Sequence, residues 1–343
     1  MAKKETELTY DLNDIIPGLD LKKEYGLTVQ SAKPVRAVIK IETDQGAFAL
    51  KKVSHKPEKL QFMFEAQEHL WNNGFTEQAR FFKTLDGRPF LEVEDGLVFL
   101  NTWLEGVESN VKDPEQLKQI VRLQAKLHEA SKGFVPTVDA AIKTRWAGWV
   151  ERFEDELSDI VNTYDRFRGV EPTSEQEMAF LETVDPMREM AEHGVRLLKQ
   201  SPYLDVLRRA RKERGFVHGD FTYHNFIIGP DGEMRVIDFD YCAHELRVHD
   251  FARFMRKMLR RTDWDIETGN LILQTYHEIN PIYEDELAVL KAVLYFPQRY
   301  WRAVERGFIT HRYSPEGSTK KMRAEVARLA NWKRYLDAFP SRL

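Results

Sequence analysis

The stretch FVHGDFTYHNFIIGPDGEMRVIDFDYC, residues 216–242, places two apolar runs around the turn Pro230-Asp231-Gly232 inside an otherwise helical region. Such a turn folds the two runs back on each other as a β-hairpin. Asp220 and Asn225 precede the first run and Asp238 ends the second, at separations of 5 and 13 residues. The hairpin therefore gathers three oxygen-bearing side chains. Phosphoryl transfer from ATP needs a carboxylate to orient or deprotonate the attacking hydroxyl and oxygen ligands to hold magnesium. Asp220 fits the first role, and Asn225 and Asp238 fit the second. Each residue alone is better explained as a turn or strand-end residue, and only the joint spacing carries the chemistry.

Outward from the hairpin, the chain changes period once. Between Leu27 and Trp103, the runs RAVIKIE, AFALKKV, RFFKT, PFLEVE and LVFLNTW are separated by tight turns at residues 43–46, 85–87 and 95–96, and they read as strands. Pro57 opens one amphipathic helix among them, with Leu60, Met63, Phe64, Leu70 and Trp71 at helical spacing and Gly74 as its stop. Residues 1–25 read as an arm or short helix laid on this sheet. Beyond Gly106 the period becomes 3.6, starting at DPEQLKQIVRLQAKLHEA, where Asp113 can cap and Pro114 sits in the first turn. Helical patterning resumes at about Leu246 and runs nearly to the end. The expected fold is α+β and two-lobed, with an antiparallel-sheet lobe carrying one helix over residues 1–104 and a mostly helical lobe over 105–343.

Composition narrows the classes. The 343 residues carry 51 Lys and Arg against 55 Asp and Glu, a net charge of −4, which argues against nucleic acid as the main partner. Forty aromatic residues are enough to fill a sizeable core. A single cysteine, Cys242, excludes an internal disulfide and a multi-thiolate metal site. No uncharged stretch approaches the ~20 residues that span a bilayer, and the first residues lack an apolar signal core. A cytoplasmic protein without membrane attachment is expected.

HGDFTYHN, residues 218–225, resembles the catalytic loop of protein kinases and, more closely, that of the aminoglycoside phosphotransferase and choline kinase-like enzymes. VIDFD, residues 236–240, resembles their metal-binding segment. Both spacings and the order after a β-rich lobe agree. Within that superfamily, IDFDYCAHELRVHDFARFMRK (237–257), FALKKV (48–53), EAQEHLWNNGF (65–75) and YFPQRYW (295–301) resemble the CotS family of spore coat proteins. The resemblance covers about residues 25–310. It implies a protein-kinase-like fold, ATP and Mg2+ as cofactors, a small-molecule hydroxyl acceptor and deposition in the spore coat beside other coat proteins.

Carried over by residue, Lys51 matches the strand lysine that contacts the α- and β-phosphates, and Glu65 matches its ion-pair partner; Lys52 and Glu68 compete for these roles. Residues 100–104, with Asn101 and Trp103, resemble the hinge whose backbone holds adenine. The stretch SAKPVRAV, 31–38, stands where a phosphate-covering loop belongs but lacks GxGxxG, and Arg36 supplies charge there. His218 resembles a histidine that supports the metal-binding strand, and Asp250 a carboxylate that braces the catalytic loop. His128 reads as a core histidine, His224 as a residue that could face substrate, and Cys242 as buried and structural.

Asp250 follows Asp238 by only 12 residues, too short a span for a platform that seats protein substrates, so small acceptors are expected. Residues 151–192 hold 13 acidic and 4 basic side chains, while 299–342 hold 11 basic and 4 acidic. The acidic stretch admits a cationic acceptor or a plain solvated face, and Trp146 and Trp149, three apart, fit a pocket wall or core. Two functions are compatible with these residues: an ATP-dependent phosphotransferase with Asp220 as base, or a structural coat protein that keeps the kinase-like fold with little or no catalysis.

Overall fold

The computed structural model describes residues 16–137 and 146–343. Of the arm expected over residues 1–25, residues 1–15 lie outside that range, and the rest forms helix α1 (Leu21–Tyr25), capped by Asp20, whose carboxylate accepts the Lys23 N–H at 3.0 Å. The strands β1 (Val29–Val35), β2 (Val38–Thr43), β3 (Gly46–Val53), β4 (Phe81–Phe82), β5 (Leu91–Val93) and β6 (Gly96–Thr102) form one antiparallel sheet in the order β1-β2-β3-β6-β4, with β5 also on β6. Helix α2 (Pro57–Asn72) follows β3, with Pro57 in its first turn. A second sheet is formed by β7 (Val107–Glu108), β8 (Phe226–Ile228) and β9 (Met234–Val236) in that order.

The stretch expected to be a phosphate-covering loop is mostly strand. β1 runs to Val35 and only Arg36 and Ala37 turn the chain, with Arg36 left-handed at φ 55°. Pro34 is tolerated because β1 is an edge strand, where its missing N–H breaks no second ladder. Ile41, Phe48, Leu50, Val98 and Leu100 pack with Leu21, Tyr25 and Leu27 into an apolar core on one side of the sheet. Strand alternation then decides between the two lysines. Leu50 is buried in that core, Lys51 points to the other face, and Lys52 lies at the strand end near Asp95 at 3.7 Å.

The helices are α3 (Pro114–Ala130), α4 (Trp149–Phe167), α5 (Glu175–Gln200), α6 (Tyr203–Glu213), α7 (Arg247–Arg261), α8 (Ile266–Ile279), α9 (Glu284–Tyr295), α10 (Gln298–Val304), α11 (Pro315–Val326) and α12 (Leu329–Asp337). The long α5 packs against α4, α9 and α11, and α3 packs against α8. The chain divides into two compact units, 1–110 with 133–143 and 218–243, and 111–132 with 144–217 and 244–343. Strand β7 still follows residue 104, and the β8–β9 hairpin groups with the sheet.

In the helical unit, Glu156 on α4 is buried, and one carboxylate oxygen accepts from Gln298 at 2.8 Å. Burial pushes its pKa up to about 7, against the pull of the Gln298 hydrogen bond and of Arg152 and Arg256. A carboxyl whose folded pKa exceeds its unfolded one destabilises the fold progressively as pH rises from about 4.5 to about 7, and the loss then levels off. Glu156→Gln should therefore raise stability at pH 8 by on the order of 2–3 kcal/mol more than at pH 5. Urea midpoints at the two pH values check this, and an equal effect at both would show that Glu156 is ionised throughout.

Candidate active site

Lys51 on β3 points its ammonium between two carboxylates at the end of β9, 2.8 Å from Asp238 Oδ1 and 2.6 Å from Asp240 Oδ2. Burial pulls the lysine pKa down, but Asp240 and Asp238 together reverse this and hold it above its usual range. Burial opposes charge on both carboxyls as well. Lys51 overcomes it at Asp238, which lies below the ordinary carboxylate range; Asp240 is pushed above that range, by burial first and then by the charge of Asp238. One negative charge is thus secure and the second is raised in energy, as expected where two acids share one cation.

The loop 218–225 is tied to this pair by a chain of hydrogen bonds. The Ile237 N–H donates to the Asn225 carbonyl at 3.0 Å, and Asn225 Nδ2 donates to the Asp220 carbonyl at 3.0 Å. His218 lies between them. Its Nδ1 accepts the Asp220 N–H at 3.3 Å, which leaves Nε2 as the N–H that donates to the Ile237 carbonyl at 3.1 Å. Its ring packs on Phe239 at 4.7 Å and Phe221 at 5.6 Å. His218 thus supports the strand that ends in Asp238, as the resemblance implied. Asn225 is buried, Asp220 is half-buried and Asp238 takes the left-handed φ of 70°. That conformation, uncommon for a residue with a side chain, turns the carboxylate out of the ladder after β9.

Several expectations are corrected. Glu65 does not pair with Lys51: its carboxylate accepts from Gln61 Nε2 at 2.7 Å and from the Thr137 N–H at 2.8 Å, and also from the Thr137 hydroxyl. The competitor Glu68 binds Arg80 at 2.5 Å and lies 3.8 Å from Lys83. The two acids therefore serve other partners. At the hinge, Asn101 sits inside the ladder opposite Ala49 and Phe81, and the Trp103 N–H donates to the Ala47 carbonyl at 3.0 Å. The Trp103 ring carries the Lys40 ammonium at 5.1 Å. Arg36 is bound by Glu108, which also reaches His224 Nδ1 at 3.3 Å. His128 is a buried core histidine bonded to Tyr276 at 2.7 Å and to Asp250 at 3.3 Å, and Asp250 also accepts from Gln124 at 3.4 Å. Cys242 is buried beside Lys59, whose ammonium lies 3.9 Å from its sulfur.

Asp240 is the residue that sequence reasoning passed over. Its signal lay in VIDFD, where carboxylates at i and i+2 share one side of an extended segment. Among the described residues no cluster of three or more His, Cys, Asp or Glu could hold a metal. Asp238, Asp240 and the Asn225 amide nevertheless fit magnesium, a hard cation commonly held by one or two carboxylates with phosphate and water completing its shell.

Gly219 makes the tight approach of the loop possible. Its φ is 80°, and a Cβ there would stand 2.2 Å from the Tyr241 carbonyl oxygen. Gly219→Ala should therefore cost about 2 kcal/mol or more in stability. A chemical denaturation midpoint equal to that of the wild type would show that residues 219 and 241 do not pack as described.

The curated "Spore coat protein S" of Bacillus subtilis (strain 168) is 25% identical over 275 residues, covering 80% of this chain and 78% of that one. The crystal structure of an aminoglycoside phosphotransferase from Alicyclobacillus acidocaldarius subsp. acidocaldarius DSM 446 superposes with a TM-score of 0.83 at 21% identity over 93% of each chain. Spectinomycin phosphotransferase APH(9)-Ia, in complex with ADP and spectinomycin, gives a TM-score of 0.61 at 14% identity over 94% of this chain and 93% of that one. The fold is therefore that of the aminoglycoside phosphotransferases. Residues 19–339 match the family described as "Spore coat putative kinase YutH", and the chain belongs to that family.

Proposed function

We propose that this chain is an ATP-dependent phosphotransferase of the spore coat that passes the γ-phosphate to a hydroxyl of a small molecule. The observation that carries the reading is the Lys51 ammonium held between Asp238 and Asp240, with Asn225 hydrogen-bonded to Asp220 beside them. A cation and oxygen ligands meet where a nucleotide triphosphate must be neutralised. In this reading residues 1–104 are the nucleotide-binding lobe, and 105–343 carry the catalytic loop and the acceptor site. Lys51 contacts phosphate oxygens, Asp238 and Asn225 hold the metal with Asp240 as a further carboxylate, and Asp220 accepts the proton of the acceptor hydroxyl as its oxygen attacks. Magnesium, when bound, would neutralise phosphate charge as the γ-phosphoryl group leaves. The likeness to the B. subtilis coat protein supports deposition in the coat after synthesis in the cytoplasm, among other coat proteins.

A second reading, a structural coat protein with little catalysis, is favoured by one observation. Lys51 is not paired with Glu65, which is held by Gln61 and Thr137. In the phosphotransferase reading this is a resting arrangement, and nucleotide draws Lys51 from the two aspartates to phosphate oxygens.

Asp220→Asn separates the two. It should leave Mg-ATP affinity within a fewfold of wild type by calorimetry while lowering phosphate release or transfer at least ~100-fold. Lys51→Ala should weaken the nucleotide itself. No detectable ATP turnover by the wild type, together with full rescue of coat assembly by Asp220→Asn, would leave only the structural reading.

A further inference from the structure

Beside the Lys51 site, His55 presents a buried nitrogen that bonds to nothing. The residue stands four positions after Lys51, on the short connection from β3 to α2, and its Nε2 is buried with no hydrogen-bond partner among the described residues. Polar atoms taken out of water are nearly always bonded, because an unpaired one keeps the full cost of its lost hydration. An acceptor stands just out of reach. His55 Nε2 lies 3.9 Å from Asp240 Oδ2, about 1 Å too long for a hydrogen bond. That same oxygen is the one Lys51 holds at 2.6 Å. Two donors therefore address one acceptor, and the ammonium has it.

The backbone around this pair is tied down on both sides. In the first turn of α2, the Lys59 ammonium donates to the Cys242 carbonyl at 2.5 Å. The Cys242 N–H in turn donates to the Phe239 carbonyl at 2.9 Å, which closes a turn over residues 239–242 with Asp240 at its second position. His55 and Asp240 are thus carried by two short segments bonded to each other. Rotation of one side chain is enough to join them.

We propose that His55 is the positioning residue for Asp240: when Lys51 turns to phosphate oxygens, the imidazole Nε2–H takes the Asp240 oxygen that the ammonium gives up and holds the carboxylate ready for the metal. This rests on the phosphotransferase reading for what draws Lys51 away; the exchange of donors at Asp240 Oδ2 does not. No change of protonation is needed. A neutral imidazole carries one N–H, and a nitrogen facing a carboxylate oxygen is the one that gains from carrying it. Without His55, departure of the ammonium would leave a carboxylate only 18% exposed beside that of Asp238 with neither cation nor donor, which is unfavourable on both counts. A donor held in reserve lowers that cost and fixes the direction of Asp240. His55 touches the carboxylate and not the metal, and loss of such an outer hydrogen bond typically lowers metal affinity about 10–100-fold.

Two variants at one position separate the donor from the bulk of the ring. His55→Gln keeps an N–H near the place of Nε2, and His55→Leu fills the space without a donor. With the full chain and ADP, electron paramagnetic resonance should show Mn2+ binding weakened about 10–100-fold in His55→Leu and within a fewfold of wild type in His55→Gln, with ADP affinity under chelator the same in all three. Equal Mn2+ affinity in His55→Leu and wild type, equal weakening in both variants, or a parallel loss of metal-free ADP affinity would overturn the proposal. A second arm uses neither nucleotide nor metal. In Lys51→Met, NMR of 15N-histidine-labelled protein should show the His55 Nε2–H moved downfield and slowed in exchange with water relative to wild type, the resonance being identified by its loss in His55→Leu. Lys51→Ala is the parallel variant should Lys51→Met fail to fold. An unmoved resonance would overturn the exchange of donors. Absence of any ADP-dependent Mn2+ binding by the wild type would count against the phosphotransferase reading, and the NMR arm then decides the pairing of His55 with Asp240 by itself.

Discussion

The Lys51 ammonium between Asp238 and Asp240 is the contact on which the site depends. It is reached from two directions. Strand alternation on β3 turns Leu50 into the apolar core and leaves Lys51 on the other face. From the hairpin side, the β8–β9 ladder and the left-handed turn at Asp238 bring both carboxylates out at the strand end. Burying a lysine with no partner would be costly, and burying two carboxylates without a cation would be worse. Each half therefore requires the other. His218 and Asn225 extend the same constraint to Asp220 through side-chain bonds to backbone groups, so that Asp220, Asn225, Asp238 and Asp240 are held by one small sheet and its flanking loops.

The parts legible in the sequence were those set by local chemistry. Turn residues at Pro230-Asp231-Gly232 and Asp95-Gly96, the change of period after Gly106, and the Asp113-Pro114 helix start all correspond to observed elements. Spacing alone brought Asp220, Asn225 and Asp238 together. What was not legible depends on long-range pairing. A polar stretch with Pro34 reads as loop until its edge position in the sheet is known. Besides Gln61 one turn away, Glu65 is bound by Thr137, 72 residues away, and no periodicity on α2 distinguishes one acid from another there. The amide of Trp103 is consumed by Ala47, a register detail invisible in the residues themselves.

Charge counting shows the same limit. Thirteen acids over residues 151–192 describe a surface, since most of them face solvent or surface cations. Arg256, buried on α7 with its guanidinium on the Val293 carbonyl, is invisible to such a count.

The central claim, that Asp238 and Asp240 form a cation site completed by nucleotide phosphate, is tested most directly by electron paramagnetic resonance of Mn2+ titrated into the full chain with and without ADP. The account predicts one protein-bound Mn2+ per chain that requires ADP and is lost in Asp238→Asn. Binding of Mn2+ and ADP by Asp238→Asn indistinguishable from wild type would contradict it.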